Sequence, residues 1–319
     1  MKQAIIAGGG VSGLICAYVF SKHKNVETKV LEPRTIGGEF LAGGLKYIHS
    51  TDMMEWLFRK IGVMYSHYTV QGGILLRGEV LPYPKCFQEF NKDDATRIQA
   101  DHYRKTRRME PGKHSNQAMN DPASIKPRRA LRCHFPDMIN KLAAHANIIR
   151  AGLERVEDDH VVLAGGTTMP YDYLVLTVPL WVIQRVVKFY VPDGMAMKLN
   201  VALINPKRDK YAKWDYVYTP YTPEDCIHRI SPEGGGYAVE VNGDLNKQAL
   251  YSDLNFIFRD GWYIESIREG LKGHLLPLDS QPKLPENVEL LGRFAKWDPR
   301  ATTDVTLEEA ADLAQRWFI

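Results

Sequence analysis

Cysteine is scarce and scattered in this chain. Cys16, Cys86, Cys133 and Cys226 are the four thiols among 319 residues, and no two share a C-x-x-C spacing. A disulfide framework and a zinc site of that spacing are thereby excluded, and a reducing compartment is expected. No apolar run approaches the roughly 20 residues that a membrane-spanning helix needs. Met1 leads straight into a strand-like run, which leaves no room for a cleaved signal. The expected location is cytoplasmic (host cytoplasm for a viral chain), with no membrane contact. HExxH, Gly-x-Ser-x-Gly and the P-loop are all missing, so no metal site and no serine triad is expected. Repeats and low-complexity tracts are missing too. Net charge is a modest +3, and 45% of residues are hydrophobic, enough to bury a substantial core in one large or two interleaved domains.

Glycine is present where it matters. Gly8-Gly9-Gly10-Val11-Ser12-Gly13 follows the apolar run Ala4-Ile5-Ile6-Ala7 and opens onto Leu14-Ile15-Cys16-Ala17-Tyr18-Val19-Phe20. A second strand, Thr28-Lys29-Val30-Leu31, ends in Glu32. Strand, G-x-G-x-x-G, helix, strand and acid form a dinucleotide fingerprint. Gly8 permits the turn, Gly10 lets backbone approach a pyrophosphate, and Gly13 lets helix and strand pack closely. The helix N-terminus, at Val11 and Ser12, favours the negative charge. Glu32 stands about 20 residues past the fingerprint, where a carboxylate accepts hydrogen bonds from ribose hydroxyls.

Glu32 runs into Pro33-Arg34-Thr35-Ile36-Gly37-Gly38-Glu39-Phe40-Leu41-Ala42-Gly43-Gly44. On these residues the chain resembles flavoproteins of the glutathione-reductase type, in the branch of amine oxidases, protoporphyrinogen oxidase and UDP-galactopyranose mutase. The resemblance implies FAD, bound non-covalently, with Arg34, Gly37, Gly38, Gly43 and Gly44 running along its pyrophosphate toward the flavin. Three more segments extend the likeness. Ile148 to Val156 resembles the strand whose backbone pairs with adenine, with Leu153 at the pairing position. Tyr173-Leu174-Val175-Leu176-Thr177-Val178-Pro179 resembles a strand ending in Thr-x-Pro near the cofactor. Leu290-Leu291-Gly292-Arg293 reads as a buried strand ending in Gly-Arg. Beyond it, Thr303 to Glu309 reads as a helix start, with Thr306 and Glu309 spaced as a capping box. The resemblance implies that N–H groups near Asp304, Val305 and Thr306 face the flavin pyrimidine and stabilise negative charge there.

The expected fold is α/β: a Rossmann-like, doubly wound FAD-binding domain built from discontinuous segments, plus a smaller, mostly antiparallel-sheet substrate domain. Residues 1–70, 131–187 and 284–319 are assigned to the first, and 71–130 with 188–283 to the second. Strand-like runs surround Ala196 to Ile204, Asp215 to Thr219, Tyr237 to Val241 and Trp262 to Glu265. Residues 51–61 predict a helix that packs through Met53, Trp56, Leu57 and Ile61.

A flavin enzyme needs few reactive side chains, because the cofactor accepts the hydride. Lys46, Tyr47 and His49, Tyr83, and Arg229 are the substrate-side candidates. Arg229 lies in a segment resembling paired substrate-sheet strands, where an Arg grips a carboxylate through its planar fork. Trp297 reads equally as a lid or as packing. The leading function is an FAD oxidoreductase acting on a C–N bond, with imine hydrolysis and oxygen as reoxidant. The alternatives are a UDP-galactopyranose mutase-like flavoenzyme and a nucleic-acid-binding flavoprotein. The expected partner is a small amine or amino-acid adduct; the sequence sets no oligomeric state.

Residues 92–132 stand apart. Eleven basic residues face five acidic ones, a local +6 on a chain of +3. Such a segment suggests an anionic partner, here DNA carrying an amino-acid-modified base, as in phage-type thymidine hypermodification. DNA binding through it should fall with salt at a log–log slope of about −0.9 per phosphate contacted. Replacing Arg104, Lys105, Arg107 and Arg108 with Ala should flatten that slope and leave the flavin spectrum alone. Equal binding by the four-residue variant reduces the segment to a solvated loop.

Overall fold

A computed structural model describes residues 1–38, 47–76, 78–83, 129–194, 196–275, 278, 280, 282–298 and 301–319. At its centre lies strand β1 (Lys2–Ala7). Ala4, Ile5, Ile6 and Ala7 are all buried, as a strand covered on both faces of a parallel sheet requires. β1 pairs in parallel with β2 (Val26–Leu31) on one side and β12 (Tyr173–Leu176) on the other. β8 (Asn147–Ile149) lies outside β2, and β18 (Val288–Leu290) outside β12. The order β8-β2-β1-β12-β18 reverses direction at β1. Ligands bind at the strand ends of such a switch point.

Helix α1 (Val11–Phe20) and the last helix, α7 (Thr303–Phe318), pack together beside this sheet. Phe20 meets Phe318 edge-on at 4.8 Å, and Trp317 stacks on Tyr173 at 4.7 Å. Helix α2 (Asp52–Ile61) starts where Thr51 Oγ1 accepts from Met54 N. Its buried residues are Met54, Leu57, Phe58 and Ile61. The inward series starts one residue later than Met53, so Trp56 stands 40% exposed instead of packing inside. Helix α3 (Phe135–Ala143) adds Met138, Ile139 and Leu142 to the same core. Helices α4 (Leu180–Val186) and α6 (Arg293–Lys296) belong to the core on the other sheet face, through Leu180, Ile183 and Ala295.

Two small sheets flank the parallel one. β9 (Leu153–Val156), β10 (His160–Leu163) and β11 (Thr168–Pro170) form an antiparallel meander. β3 (Ile48–His49) and β4 (Tyr65–Thr69) both pair with β7 (Arg129–Cys133). The boundary expected between 130 and 131 therefore falls inside a strand. The described end of the basic segment is β-structure, not loop. Its Arg132 lies over the Tyr68 ring at 4.5 Å and 3.6 Å from Asp215.

The second large sheet has seven strands, in the order β17-β13-β16-β15-β14-β5-β6. They are β5 (Gly72–Leu76), β6 (Glu79–Tyr83), β13 (Ala196–Pro206), β14 (Tyr216–Tyr218), β15 (Ile227–Glu233), β16 (Gly236–Asn242) and β17 (Trp262–Leu275). Only β14 with β5 is a parallel pair. Helix α5 (Lys247–Ile257), which the sequence reading did not anticipate, covers one face. Asn246 caps it by accepting from Gln248 N and Ala249 N. Leu250, Leu254 and Ile257 pack against Val217, Ile230, Val239 and Val241. From this helix the fully buried Asp253 accepts from Thr222 Oγ1 and from the N–H groups of Glu224, Cys226 and Ile227. Asp253→Ala strands those donors and should cost about 3 kcal/mol, the upper range for unsatisfied buried groups. A urea midpoint equal to wild type removes Asp253 as the anchor of the turn before β15.

Candidate cofactor cradle and substrate face

The cradle begins at a contact with no room for a side chain. A Cβ on Gly13 would lie 1.9 Å from the Gly8 carbonyl oxygen. Gly8 has φ +114°, a conformation open to glycine, and a Cβ there would meet Thr177 Oγ1 at 2.5 Å. The Thr177 hydroxyl lies 3.0 Å from both Ala7 O and Gly8 O, tying β12 to the turn. Glu32 fastens the other side. Its carboxylate accepts from Gly9 N at 2.9 Å and from Arg34 N at 2.8 Å. Gly37 N donates to Gly9 O at 2.8 Å, and Gly37 bridges Gly10. A Cβ on Gly38 would lie 3.7 Å from Gly10 Cα. Arg150 Nη1 donates to Arg34 O, while Arg34 itself is exposed.

Gly10 differs from its neighbours. A Cβ there would meet nothing within 4 Å, and φ is −70°. Gly10 caps α1 with no side-chain hydrogen bond, and the first turn holds no acid. The result is an uncapped, positive helix end beside open space, which suits a pyrophosphate. Half-buried Val11 and Ser12 stand at that end. Gly292 approaches from the far end of the sheet; its Cβ would fall 2.3 Å from Ser12 Oγ. Arg293 opens α6, with its guanidinium 6.0 Å from the Phe294 ring. Leu153 starts β9, and a Cβ on the preceding Gly152 would lie 3.9 Å from the Pro33 ring. The open space at Gly10 and the N-terminus of α1 have the room and the positive end that the pyrophosphate of FAD would need. Gly43, Gly44 and Lys46 lie outside the described residues.

The expected capping box is corrected by the structure. Helix α7 starts at Thr303 with Thr302 at its cap, and Thr306 N donates to Thr302 O at 2.9 Å. Glu309 instead meets Lys296 Nζ at 2.5 Å. Asp304 thus falls in the first turn, where the helix end favours a carboxylate. Its oxygens lie 3.2 and 3.3 Å from His49 Nδ1. Burial pushes the Asp304 carboxyl up; hydrogen bonds from His49 and Thr302 outweigh it and hold the pKa below the ordinary value. Val305 is half-buried and Thr306 buried.

Arg229 is also corrected. Its fork is taken by Glu240, with Nη2 2.6 and 2.8 Å from the two carboxylate oxygens and Nε 3.1 Å from one. Burial disfavours its charge, but Glu240 outweighs that and raises the pKa. An always-charged guanidinium on a buried sheet needs such a partner. The face bearing this pair is turned away from α5 and carries Tyr216 and Tyr218. Tyr83 meets Tyr218 edge-on at 5.0 Å, and His228 lies 5.4 Å from Tyr218. Trp297 is packing: it is 2% exposed and meets Trp181 edge-on at 5.9 Å. The sequence reading missed Glu240 and the Asp304 side chain, because neither partner is signalled by local spacing.

Strand order and glycine turn define a mixed α/β fold, a five-stranded parallel sheet joined to a larger, mostly antiparallel one. No family model matches the chain, and no curated protein matches it in sequence. Solved structures do. Reduced UDP-galactopyranose mutase aligns with a TM-score of 0.71 at 14% identity, over 99% of this chain and 93% of that one. A CLA-producing fatty acid isomerase from P. acnes aligns at 0.66 and 14% identity, over 100% and 99%. Putrescine oxidase bound to putrescine aligns at 0.62 and 11% identity, over 99% of both chains. The likeness establishes the fold, which the chain shares with these three structures.

Two glycine substitutions separate folding from binding. Gly10→Val has space and an ordinary φ, so the chain should fold with its normal melting temperature yet purify without FAD. Gly13→Ala should lower the melting temperature itself. Glu32→Ala should weaken FAD binding by roughly 1–3 kcal/mol, the scale of lost hydrogen bonds to a charged group, measured by titrating the apoprotein. FAD at full occupancy in Gly10→Val contradicts the cradle.

Proposed function

We propose that the chain is an FAD-dependent oxidoreductase that oxidises a small amine at the carbon beside nitrogen. The observation that carries the cofactor is the opening over Gly10, set at an uncapped helix end beside Glu32. Bound there, FAD supplies the hydride acceptor. The protein binds it through backbone, orients it, and presents substrate on the tyrosine face of the second sheet. Lys46 remains a candidate on that side by its place in the sequence.

The engagement of Arg229 by Glu240 shapes the substrate reading. A guanidinium already neutralised by a buried carboxylate does not call for a second one. Tyr83, Tyr216 and Tyr218 offer an apolar wall with polar tips. An amine without a carboxylate suits this wall better than an amino acid anchored through Arg229. The DNA-base form of the substrate rests on the basic segment alone. Residues 92–128 of that segment lie outside the described residues, and Arg132 engages Asp215. None of the structural neighbours supports it.

Anaerobic mixing with a panel of primary and secondary amines should bleach the flavin absorbance, and admitting air should restore it. Arg229→Lys should leave FAD bound and lower sheet stability more than it alters amine affinity. If no amine bleaches the flavin and a sugar nucleotide is isomerised only after dithionite reduction, the mutase reading replaces this one.

A further inference from the structure

Asp304 and His49 lie 255 residues apart in sequence and meet through the Nδ1 side of the imidazole. The ring has a firm base. His49 pairs with Ala130 of β7, and the adjacent Ile48 is fully buried against Leu131. The His49 side chain is 33% exposed and Asp304 12%. Tyr47 lies 5.4 Å away, ring to ring. Tyr68 pairs with Ala130, the same residue His49 pairs with, and Arg132 follows on that face. The Tyr68 hydroxyl is pushed up to about 12, chiefly by burial, and stays neutral; Arg132 engages Asp215. Among these groups Asp304 is the charge in contact with the imidazole.

An ionised carboxylate only accepts hydrogen bonds, so the proton between the two side chains belongs to Nδ1. In the neutral ring Nε2 then carries the lone pair. We infer that Asp304 is a positioning residue that fixes His49 in the Nδ1–H form, and that His49 Nε2 takes the proton of the substrate ammonium group. This rests on the amine-oxidising reading above. The step balances. A protonated amine has no free electron pair with which to support loss of hydride from its carbon. Its N–H bond breaks, an Nε2–H bond forms, and the electron pair stays on the amine nitrogen. The resulting imidazolium is balanced by Asp304, as in other carboxylate–histidine pairs. No co-reactant beyond FAD is needed.

Two measurements test it. In the folded chain with and without FAD, nitrogen-15 NMR of labelled histidine should show the neutral form of His49 carrying its proton on Nδ1. Asp304→Asn should abolish that preference. The second is anaerobic flavin reduction by an amine that reduces the wild type. His49→Ala should slow it 100-fold or more at neutral pH, the lower range for a lost proton-transfer group. The deficit should close as pH rises past the pKa of the amine itself, where free base is abundant. A purely structural role leaves the deficit constant with pH, and that result overturns the proton-transfer role. An Nε2–H form in the wild type overturns the positioning role. If no amine reduces the wild type, the amine reading fails and the proton step with it, while the NMR measurement still decides whether Asp304 sets the tautomer.

Discussion

The absence of any side chain between helix α1 and the end of β1 is the constraint on which the site depends. With Gly13 against the Gly8 carbonyl, the helix axis is pinned to the strand end. Its first N–H groups then fall in one place, beside the opening at Gly10. Thr177 holds the same turn from β12, and Glu32 holds it from β2. The central strand and both neighbours thus converge on a few backbone atoms. A pyrophosphate bound there meets rigid dipoles whose orientation is already fixed by the fold.

The second sheet is organised by buried charge. Asp253 and the Arg229–Glu240 pair both sit where desolvation is costly, and each is surrounded by partners. Asp253 shapes the turn leading into β15. Arg229 and Glu240 then face each other across β15 and β16, beside Tyr218 on β14. A carboxylate under one face and an ion pair on the other hold the tyrosine wall in register.

Local chemistry was legible in the sequence. The glycine turn after β1, the helix at 52–61 and most strands of the second sheet follow from glycine placement and periodicity. The parts that were not legible depend on partners brought together by the fold. Arg229 looks like a free fork until β16 places Glu240 opposite it. His49 and Asp304 look like separate candidates until α7 returns to β3. The helix start at Thr303 was legible, but its capping box was not: Thr306 and Glu309 have the spacing, while Lys296 is the partner that Glu309 finds. Helix α5 carried a signal, Asn246 followed by Leu250, Leu254 and Ile257, within a region of strand-like runs.

The order of assembly is written into the contact between Gly292 and Ser12. Synthesis from the N-terminal side makes β1, the glycine turn and α1 well before the segments that close round them. Thr177, which pins that turn, is made far later, and Gly292 and α7 later still. The strand at the centre of the sheet has β2 beside it early but waits for β12, its second neighbour, until residues 173–176 are made. The groups that would hold a dinucleotide on this scaffold are therefore all in place only once β18 and the helix that follows it have been made.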